Sequence, residues 1–149
     1  MTPLTVAIII TCALASIVGV IYGINHENEQ VLWSHDLKIH IFAPVIRCEG
    51  LCIFGSEEGL VHAIQDVDGE IKWQEKFSFS VNAGICPMND DKIMIMDTKS
   101  HFKIIDATKE RTICAGALGI GETFSTPMMI RDKVLIGSRD DHLYCFDSL

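Results

Sequence analysis

Short apolar segments alternate with polar turns along the chain, and they recur in four similar units. The central segment of each unit is rich in isoleucine, valine, leucine or methionine, and such short runs are typical of strands. These central segments are Ala7–Thr11, Leu51–Gly55, Ile93–Asp97 and Val134–Ser138. A second apolar segment follows each of them after a turn, at Ile21–Ile24, Val61–Ile64, Phe102–Ile105 and Leu143–Phe146. No segment has apolar residues at a 3.6-residue spacing over helical length, so the pattern predicts strands throughout.

The length of the repeat follows from two observations. The four prolines, Pro3, Pro44, Pro87 and Pro127, each follow a small residue and stand 41, 43 and 40 positions apart. The segment from Gly19 to Trp33 also recurs from Gly59 to Trp73 without a gap, 40 residues further on. The sequence therefore predicts a single segment of repeats over residues 1–149, with the repeats at about 2–33, 43–73, 86–113 and 126–147.

Each repeat has the size and composition of a β-propeller blade. A blade is a small antiparallel sheet of four strands that packs between two neighbours, so that both of its faces are apolar. Continuous apolar runs such as Ile93–Met96 suit that environment better than strict alternation does. The predicted fold is all-β, a β-propeller of four-stranded antiparallel blades with about four repeats, the last lacking its fourth strand. We expect a partial ring, which leaves an apolar end face exposed.

The fourth strand of a unit carries Trp33 or Trp73. A buried indole covers ~200 Å² of surface, which makes it a strong anchor between packed elements. We expect each tryptophan to reach from the outer strand of its blade to the adjacent blade. In the third unit, Ile113 stands near the equivalent place.

The first 24 residues allow three interpretations. Leu4–Ile24 has 21 residues without a charge, which suffices for a membrane span, and Ala13–Ala15 has the small-x-small form of a signal-peptide cleavage site. Both kinds of segment normally have basic flanks, and no Lys or Arg precedes Lys38. Because the end of the segment also belongs to the repeat, we expect two buried strands and a cytoplasmic protein. The alternative is a secreted protein, or one anchored in a membrane through residues 1–24.

The overall charge argues against a nucleic-acid partner. The net charge is −8 and the isoelectric point about 5.1, with no basic cluster to offset the acidic residues. The six cysteines match no disulfide framework of small secreted domains, and most stand beside apolar residues. We therefore predict free thiols in an intracellular protein. Its expected partner is another protein or the rest of a longer chain, and no membrane partner is expected.

The repeat resembles that of the PQQ-like, or quinoprotein-type, β-propellers. The resemblance rests on Gly19–Trp33, Gly59–Trp73 and Thr126–Asp147 and covers nearly the whole chain. Ser125–Asp147 is also similar to the end of the β-alanine-activating enzymes of the acyl-CoA synthetase family, homologues of aminoadipate-semialdehyde dehydrogenase. That second resemblance implies an ATP-dependent acid–thiol ligase as parent, with an adenylate-forming domain, a phosphopantetheine carrier and a C-terminal propeller. Only the propeller part is present here, so none of these residues matches a catalytic residue of that family.

Quinone and metal binding are the first chemical hypotheses for such a repeat. Quinone-bearing members of the resembled family have adjacent cysteines and acidic calcium ligands, and this chain has no Cys-Cys pair. Cys48, Cys52 and His62 are the best metal candidates, yet a structural zinc site needs four ligands and Cys52 lies in an apolar segment. We therefore predict neither a quinone cofactor nor a metal site.

The remaining polar pairs are interpreted as turn residues. Glu57–Glu58 and Asp140–Asp141 fall at the same blade turn, where short polar residues are favoured in any case. His101 and His142, 41 residues apart, follow that turn and are expected at the surface. Gly116–Gly121 lacks the following helix and Lys-Ser/Thr of a phosphate loop, so a loop between blades is predicted.

The sequence thus predicts no catalytic, cofactor or metal residues. The positions singled out are structural repeat positions: Pro3, Pro44, Pro87, Pro127, Trp33, Trp73, Gly19 and Gly59. The expected function is that of a non-catalytic binding or scaffold module. Two alternatives stay open: a secreted or membrane-anchored propeller scaffold, and a fragment of a quinone-dependent dehydrogenase.

Overall fold

The computed structural model describes residues 6–11, 19–25, 27–82, 84–89 and 91–148, and of 6–11 only the backbone. Within them the chain forms strands grouped in antiparallel sheets. The first sheet contains β1 (Val6–Thr11), β2 (Val20–Asn25) and β3 (Val31–Asp36). The second contains β4 (Ile46–Cys48), β5 (Leu51–Gly55), β6 (Leu60–Gln65) and β7 (Ile71–Lys76). The third contains β8 (Gly84–Pro87), β9 (Lys92–Met96), β10 (His101–Asp106) and β11 (Arg111–Ala117), and the fourth contains β12 (Met128–Ile130), β13 (Lys133–Gly137) and β14 (Leu143–Asp147).

In every sheet the strands follow one another in chain order. Strand β8 contacts β4 and β5 of the sheet before it and β12 of the sheet after it. The first strands of successive sheets therefore lie together at one narrow edge, and the later strands lie progressively further out. This fan of sheets confirms the predicted all-β architecture of four-stranded antiparallel blades.

The core lies between the sheets. In β9, Ile93 and Ile95 pack in the cluster shared with the second sheet, whereas Met94 and Met96 pack in the cluster shared with the fourth. All four side chains are buried. Because successive strand residues face opposite sides, burial of both faces requires the continuous apolar run seen in the sequence.

The apolar N-terminal segment contributes strands. β1 pairs antiparallel with β2, from Val6 opposite Asn25 to Thr11 opposite Val20. The described residues contain no apolar helix of membrane-spanning length. Pro3 and the turn at 12–16 lie outside the described residues.

The fourth sheet has an apolar face with no sheet against it in the described part of the chain. Met128 pairs with Leu135, which pairs in turn with Cys145, so these residues share one face. Met128, Ile130 and Leu143 are 59%, 45% and 70% exposed. Met129, Val134 and Ile136 on the other face pack against the third sheet. On the same face these apolar side chains lie beside the ion pair between Lys133 and Asp147.

The prolines near the first strands occupy three different positions. Pro44 stands two residues before β4 and Pro127 directly before β12, whereas Pro87 is the last residue of β8 and pairs with Ile93. Proline lacks an amide hydrogen and is tolerated where a strand lies at a sheet edge, as β8 does. The spacing of the prolines therefore marks the start of each unit only to within a few residues.

Two indoles connect successive sheets. Nε1 of Trp33 donates to the carbonyl oxygen of Asp66 at 3.0 Å, and Nε1 of Trp73 donates to that of Ala107 at 2.9 Å. Both rings are buried. Opposite Trp33 stands Gly23, where a Cβ atom would lie 2.3 Å from Cε2 of the indole. The small residue opposite Trp33 on β2 thus makes room for the ring.

In the third sheet the structure puts the residue equivalent to these tryptophans one position after Ile113, which the sequence predicts near that place. Ile104 pairs with Cys114 and Ile105 with Thr112, so Ile113 is the extra residue of a β-bulge. The same bulge in the earlier sheets leaves Leu32 and Lys72 unpaired. Cys114 therefore occupies the tryptophan position, and Ile113 is 42% exposed.

Gly59 and Gly19 lie where the backbone comes close to a neighbouring segment. Gly59 has φ +76°, and a Cβ atom there would lie 2.5 Å from the carbonyl oxygen of Phe79. Ser100 and Asp141 hold the equivalent position of the later turns with φ 61° and 66°. Gly19 donates its amide hydrogen to Ile39 O at 3.1 Å, and a Cβ atom there would lie 2.5 Å from that oxygen.

Replacing Trp73 by Phe tests the indole bridge. We expect Trp73→Phe to lower the free energy of unfolding by about 2 kcal/mol, because a buried hydrogen bond is lost and a smaller ring leaves a void. Urea denaturation followed by circular dichroism measures the change. Lys72→Ala, at the neighbouring bulge residue, should stay within about 0.5 kcal/mol of the parent. Equal stability of Trp73→Phe and the parent would contradict the bridge.

Relieving the left-handed residue in the last turn should stabilise the protein. A non-glycine residue at positive φ costs ~1–2 kcal/mol, and glycine recovers this minus ~0.5–1 kcal/mol of extra chain entropy. Asp141→Gly is therefore expected to raise the free energy of unfolding by about 0.5 kcal/mol, measured in replicate denaturation curves. Asp140→Gly should destabilise instead, since the Asp140 carboxylate accepts the hydroxyl hydrogen of Tyr144.

Candidate functional site

The connections between the sheets meet the hairpin turns at one end of the fan. Connections 37–45, 77–82 and 118–127 lie beside turns 56–59, 97–100 and 138–142, and we call this end the loop surface. The same backbone hydrogen bond joins connection and turn each time. The three bonds run from Glu57 N to His40 O, from Thr98 N to Ser80 O and from Arg139 N to Glu122 O, each at 2.9 Å. Because this hydrogen bond recurs at each connection, contacts within the chain fix the backbone of the loop surface.

Exposed phenylalanines stand on each connection of the loop surface. Phe42, Phe79 and Phe124 are 64%, 42% and 48% exposed. Phe79 stacks on the ring of His101 with centroids 5.5 Å apart, and Cζ of Arg139 lies 5.0 Å from the centroid of Phe124. These contacts hold two of the rings in place while leaving one side to solvent. Aromatic and arginine side chains of this kind are enriched in protein interfaces.

Charged residues of both signs surround these rings. Nδ1 of His40 lies 2.7 Å from Oε2 of Glu57, and Glu122 pairs with Lys99 and, at 3.7 Å, with Arg139. The hydrogen bond from Lys99 lowers the pKa of Glu122, so this carboxylate stays ionised at neutral pH. Exposed pairs add little stability. They do determine which partners can approach, because like charges repel and opposite charges attract.

Buried Asp97 organises the middle turn. Its Oδ1 accepts hydrogen bonds from the amides of Lys99 at 2.9 Å and His101 at 3.1 Å. Its Oδ2 lies 3.0 Å from Nδ1 of His101. Thr123 from the connection donates its hydroxyl hydrogen to the Asp97 carbonyl oxygen at 3.1 Å. The carboxylate therefore fixes the imidazole against which Phe79 stacks.

The acidic pair at Asp140–Asp141 lies on the last turn of the loop surface. Asp140 accepts the Tyr144 hydroxyl hydrogen at 2.6 Å and the His142 amide hydrogen at 3.2 Å. The hydrogen bond from Tyr144 lowers the pKa of Asp140 to about 2. Such a carboxylate carries no proton to donate near neutral pH. Glu57, in the other acidic pair, contacts His40 across the surface.

The second sheet separates Cys48 from the other two metal candidates, Cys52 and His62. Cys48 packs in the cluster toward the third sheet, whereas His62 stacks on Phe54, which packs toward the first sheet. Burial raises the pKa of Cys52 to about 12, which keeps the thiol protonated. Within the described ranges, no three His, Cys, Asp or Glu side chains lie close enough together to hold a metal ion. The cysteines described by the structure are free thiols: Cys48, Cys52, Cys86, Cys114 and Cys145.

The aromatic residues of the loop surface were not singled out by the sequence analysis. A signal was present, since Phe42 stands two residues before Pro44 and Phe124 three residues before Pro127. The backbone contacts show that Phe42 and Phe124 are equivalent, with Asn82 between them in the series. In a chain so rich in apolar residues, only the structure distinguishes a solvent-facing phenylalanine from a core one.

Solved structures with the same fold place the chain among β-propellers. It is similar to BamB from Moraxella catarrhalis, a PQQ-like propeller, with a TM-score of 0.67, 14% identity, 90% of this chain covered and 43% of that one. It is also similar to Sqt1 from Saccharomyces cerevisiae, a WD40 protein, with a TM-score of 0.75, 16% identity and coverages of 95% and 42%. The computationally designed Ika4 protein gives a TM-score of 0.73, 12% identity and coverages of 90% and 87%.

These likenesses confirm the predicted propeller fold. The chain spans less than half the length of BamB and of Sqt1. No protein-family model matches the chain, and no curated protein matches it in sequence. The expected relation to an acyl-CoA synthetase has no counterpart among these structures.

The burial of His62 predicts an acid-sensitive fold. Burial lowers the pKa of His62, and its Nδ1 is buried with no hydrogen-bond partner. The unfolded chain therefore binds this proton more readily, and stability is lost as the pH falls below the ordinary histidine pKa of ~6.5. His62→Leu should lose less stability than the parent between pH 7 and pH 5. The difference is bounded by one proton, about 1.4 kcal/mol per pH unit.

Denaturation curves at both pH values measure this difference. His142→Leu, at a histidine whose side chain is 70% exposed, is the matched control, and the two variants are compared at both pH values. An unchanged pH dependence in His62→Leu would refute the role of His62.

Proposed function

We propose that this propeller segment is a non-catalytic binding module that holds a protein partner on its loop surface. The observation that carries the proposal is the row of exposed phenylalanines, one on each described connection. The carboxylates nearest to them are engaged in turns and ion pairs. The exposed rings are therefore the groups of this surface that are available to contact a partner protein.

The physical properties of the loop surface suit a folded protein partner. The backbone bonds between connections and turns are made within the chain, so little conformational entropy is lost on binding. Phe79 and Phe124 are backed by His101 and Arg139, which gives rigid apolar anchors with a polar surround. The net charge of −8 disfavours nucleic acid as the partner.

A more specific proposal concerns the protein to which the module belongs. We propose that it is the C-terminal part of an adenylate-forming, carrier-dependent enzyme of the cytoplasm that activates an amino or fatty acid. The similarity of Ser125–Asp147 to that family supports this. No quinone cofactor is part of the proposal, because the chain lacks the Cys-Cys pair. An upstream reading frame encoding an adenylation domain would support this parentage, and a frame without one would refute it.

Site-specific photo-crosslinking tests the binding surface. A photoreactive phenylalanine analogue replaces Phe42, Phe79 or Phe124 one at a time in the protein expressed in cells. We expect the same discrete adduct from these positions, because they lie on one surface. Val67 is the matched control, since it is 53% exposed and lies in the turn between β6 and β7, away from the loop surface. A quantitative blot measures the adduct yield.

The partner found in this way is then tested for affinity. Phe42→Ala/Phe124→Ala should weaken its binding at least tenfold, in keeping with aromatic interface anchors worth more than ~1.4 kcal/mol. The melting temperature should stay near that of the parent, because both rings are exposed. Adducts of equal yield from Val67, or full affinity of the double variant, would refute the loop surface as the binding site.

A further inference from the structure

An apolar cavity of about 270 Å³ lies between the third and fourth sheets. Its wall includes six large apolar or sulfur side chains: Met94, Phe102, Ile104, Cys114, Val134 and Phe146. Four further residues complete the wall: Met88, Leu118, Asp147 and Ser148. Of the lining residues only Leu118, the first residue of connection 118–127, belongs to the loop surface, and none of the exposed phenylalanines lines the cavity.

The cavity lies where the two preceding junctions hold an indole. Cys114 occupies the register position of Trp33 and Trp73, and it lines the cavity. The residue paired with this position is Gly23 in the first sheet, Ala63 in the second and Ile104 in the third. The larger side chain of Ile104 fills only part of the volume that an indole would occupy. The chain has two tryptophans, and both are used at the earlier junctions.

The third junction has a backbone carbonyl group equivalent to the ones that accept the indole hydrogen bonds at the first two junctions. Trp33 and Trp73 donate to the carbonyl oxygens of Asp66 and Ala107, each of which follows the end of a third strand. Ser148 is the equivalent residue after β14. The amides of these three acceptor residues are anchored alike, to Gly50 O at 2.9 Å, to Asp91 O at 2.9 Å and to Asp132 O at 2.7 Å.

We propose that this cavity is a binding site for a free, planar bicyclic aromatic molecule with a ring N–H, of the indole class. The ligand takes the place of the absent side chain, its ring between Ile104, Cys114 and Phe146 and its N–H donated to the Ser148 carbonyl oxygen. An enclosed apolar cavity of ~150 Å³ binds benzene. The present cavity is open to solvent on one side, and its volume of about 270 Å³ has room for a second fused ring.

Titration calorimetry with indole itself tests the proposal on the full chain. We expect saturable binding of one indole per chain with a Kd on the order of 0.1–1 mM, the range for so small a ligand. N-methylindole, which cannot donate a hydrogen bond, should bind at least threefold more weakly. Equal affinity for the two compounds would overturn the assigned hydrogen bond to Ser148, and no saturable binding would overturn the site.

Variants that supply the missing indole provide the second arm. Cys114→Trp should fill the cavity and weaken indole binding more than tenfold. Because Ile104 is larger than Ala63, Ile104→Ala/Cys114→Trp rebuilds the Ala63–Trp73 pair and serves if the single variant is overpacked. Cys145→Trp is the matched control, since Cys145 is exposed on the far face of the fourth sheet, and it should bind indole like the parent.

The variants also decide where the ligand binds and from which source it comes. Indole binding that persists in both filled variants would overturn the site. A tryptophan side chain offered by a partner has the same ring chemistry, so N-acetyltryptophanamide is titrated in parallel. Tighter binding of the amide than of indole would overturn the assignment to a free small molecule. The crosslinking result at the loop surface has no bearing on this outcome, so the two proposals fail separately.

Discussion

A sheet of four short strands cannot bury either of its faces by itself, and in this chain the neighbouring sheets provide the cover. Strand β9 shows the constraint most clearly, since Ile93 and Ile95 face one neighbour while Met94 and Met96 face the other. Each inner sheet therefore buries apolar side chains on both of its faces, and the hydrophobic effect stabilises both contacts. The absence of strict apolar–polar alternation is a direct consequence, because neither face of an inner sheet is left to water.

The indoles strengthen this stacking at the outer strands. Each ring crosses to a backbone carbonyl group of the next sheet, so a bulky apolar contact also satisfies a buried N–H. The ring needs a small residue opposite it, which Gly23 and Ala63 supply. At the third junction the pair is Ile104 and Cys114. The larger Ile104 side chain does not fill all the space that a tryptophan in place of Cys114 would occupy, and a cavity remains. One packing rule thus accounts for two tight junctions and for the cavity at the third.

The same stacking explains why the loop surface is a rigid platform. Each connection must cross from the outer strand of one sheet to the inner strand of the next, and on the way it bonds to the turn of that next sheet. The carboxylates of Asp97 and Asp140 accept the backbone hydrogen bonds that hold two of those turns. The chemistry left facing solvent is aromatic and mixed in charge, the combination found in interfaces between proteins.

The sequence by itself determined the strands, the repeat of about 40 residues and the stacked blade architecture. These follow from local composition and from the burial of both faces, because each unit repeats the same short apolar segments and polar turns. It also pointed to Trp33 and Trp73 as side chains that reach an adjacent blade, because a large indole recurring at a fixed place in a strand needs a partner surface.

Only the tertiary structure decided which residues meet across the sheets. A bulge between β10 and β11 shifts the pairing by one residue and puts Cys114 rather than Ile113 at the tryptophan position. Pro87, in turn, is the last residue of β8, whereas Pro44 and Pro127 stand before a strand. It also decided which phenylalanines face solvent. The physical reason is that register, bulges and burial depend on contacts between residues far apart in the chain, and the spacing along a single segment does not record them.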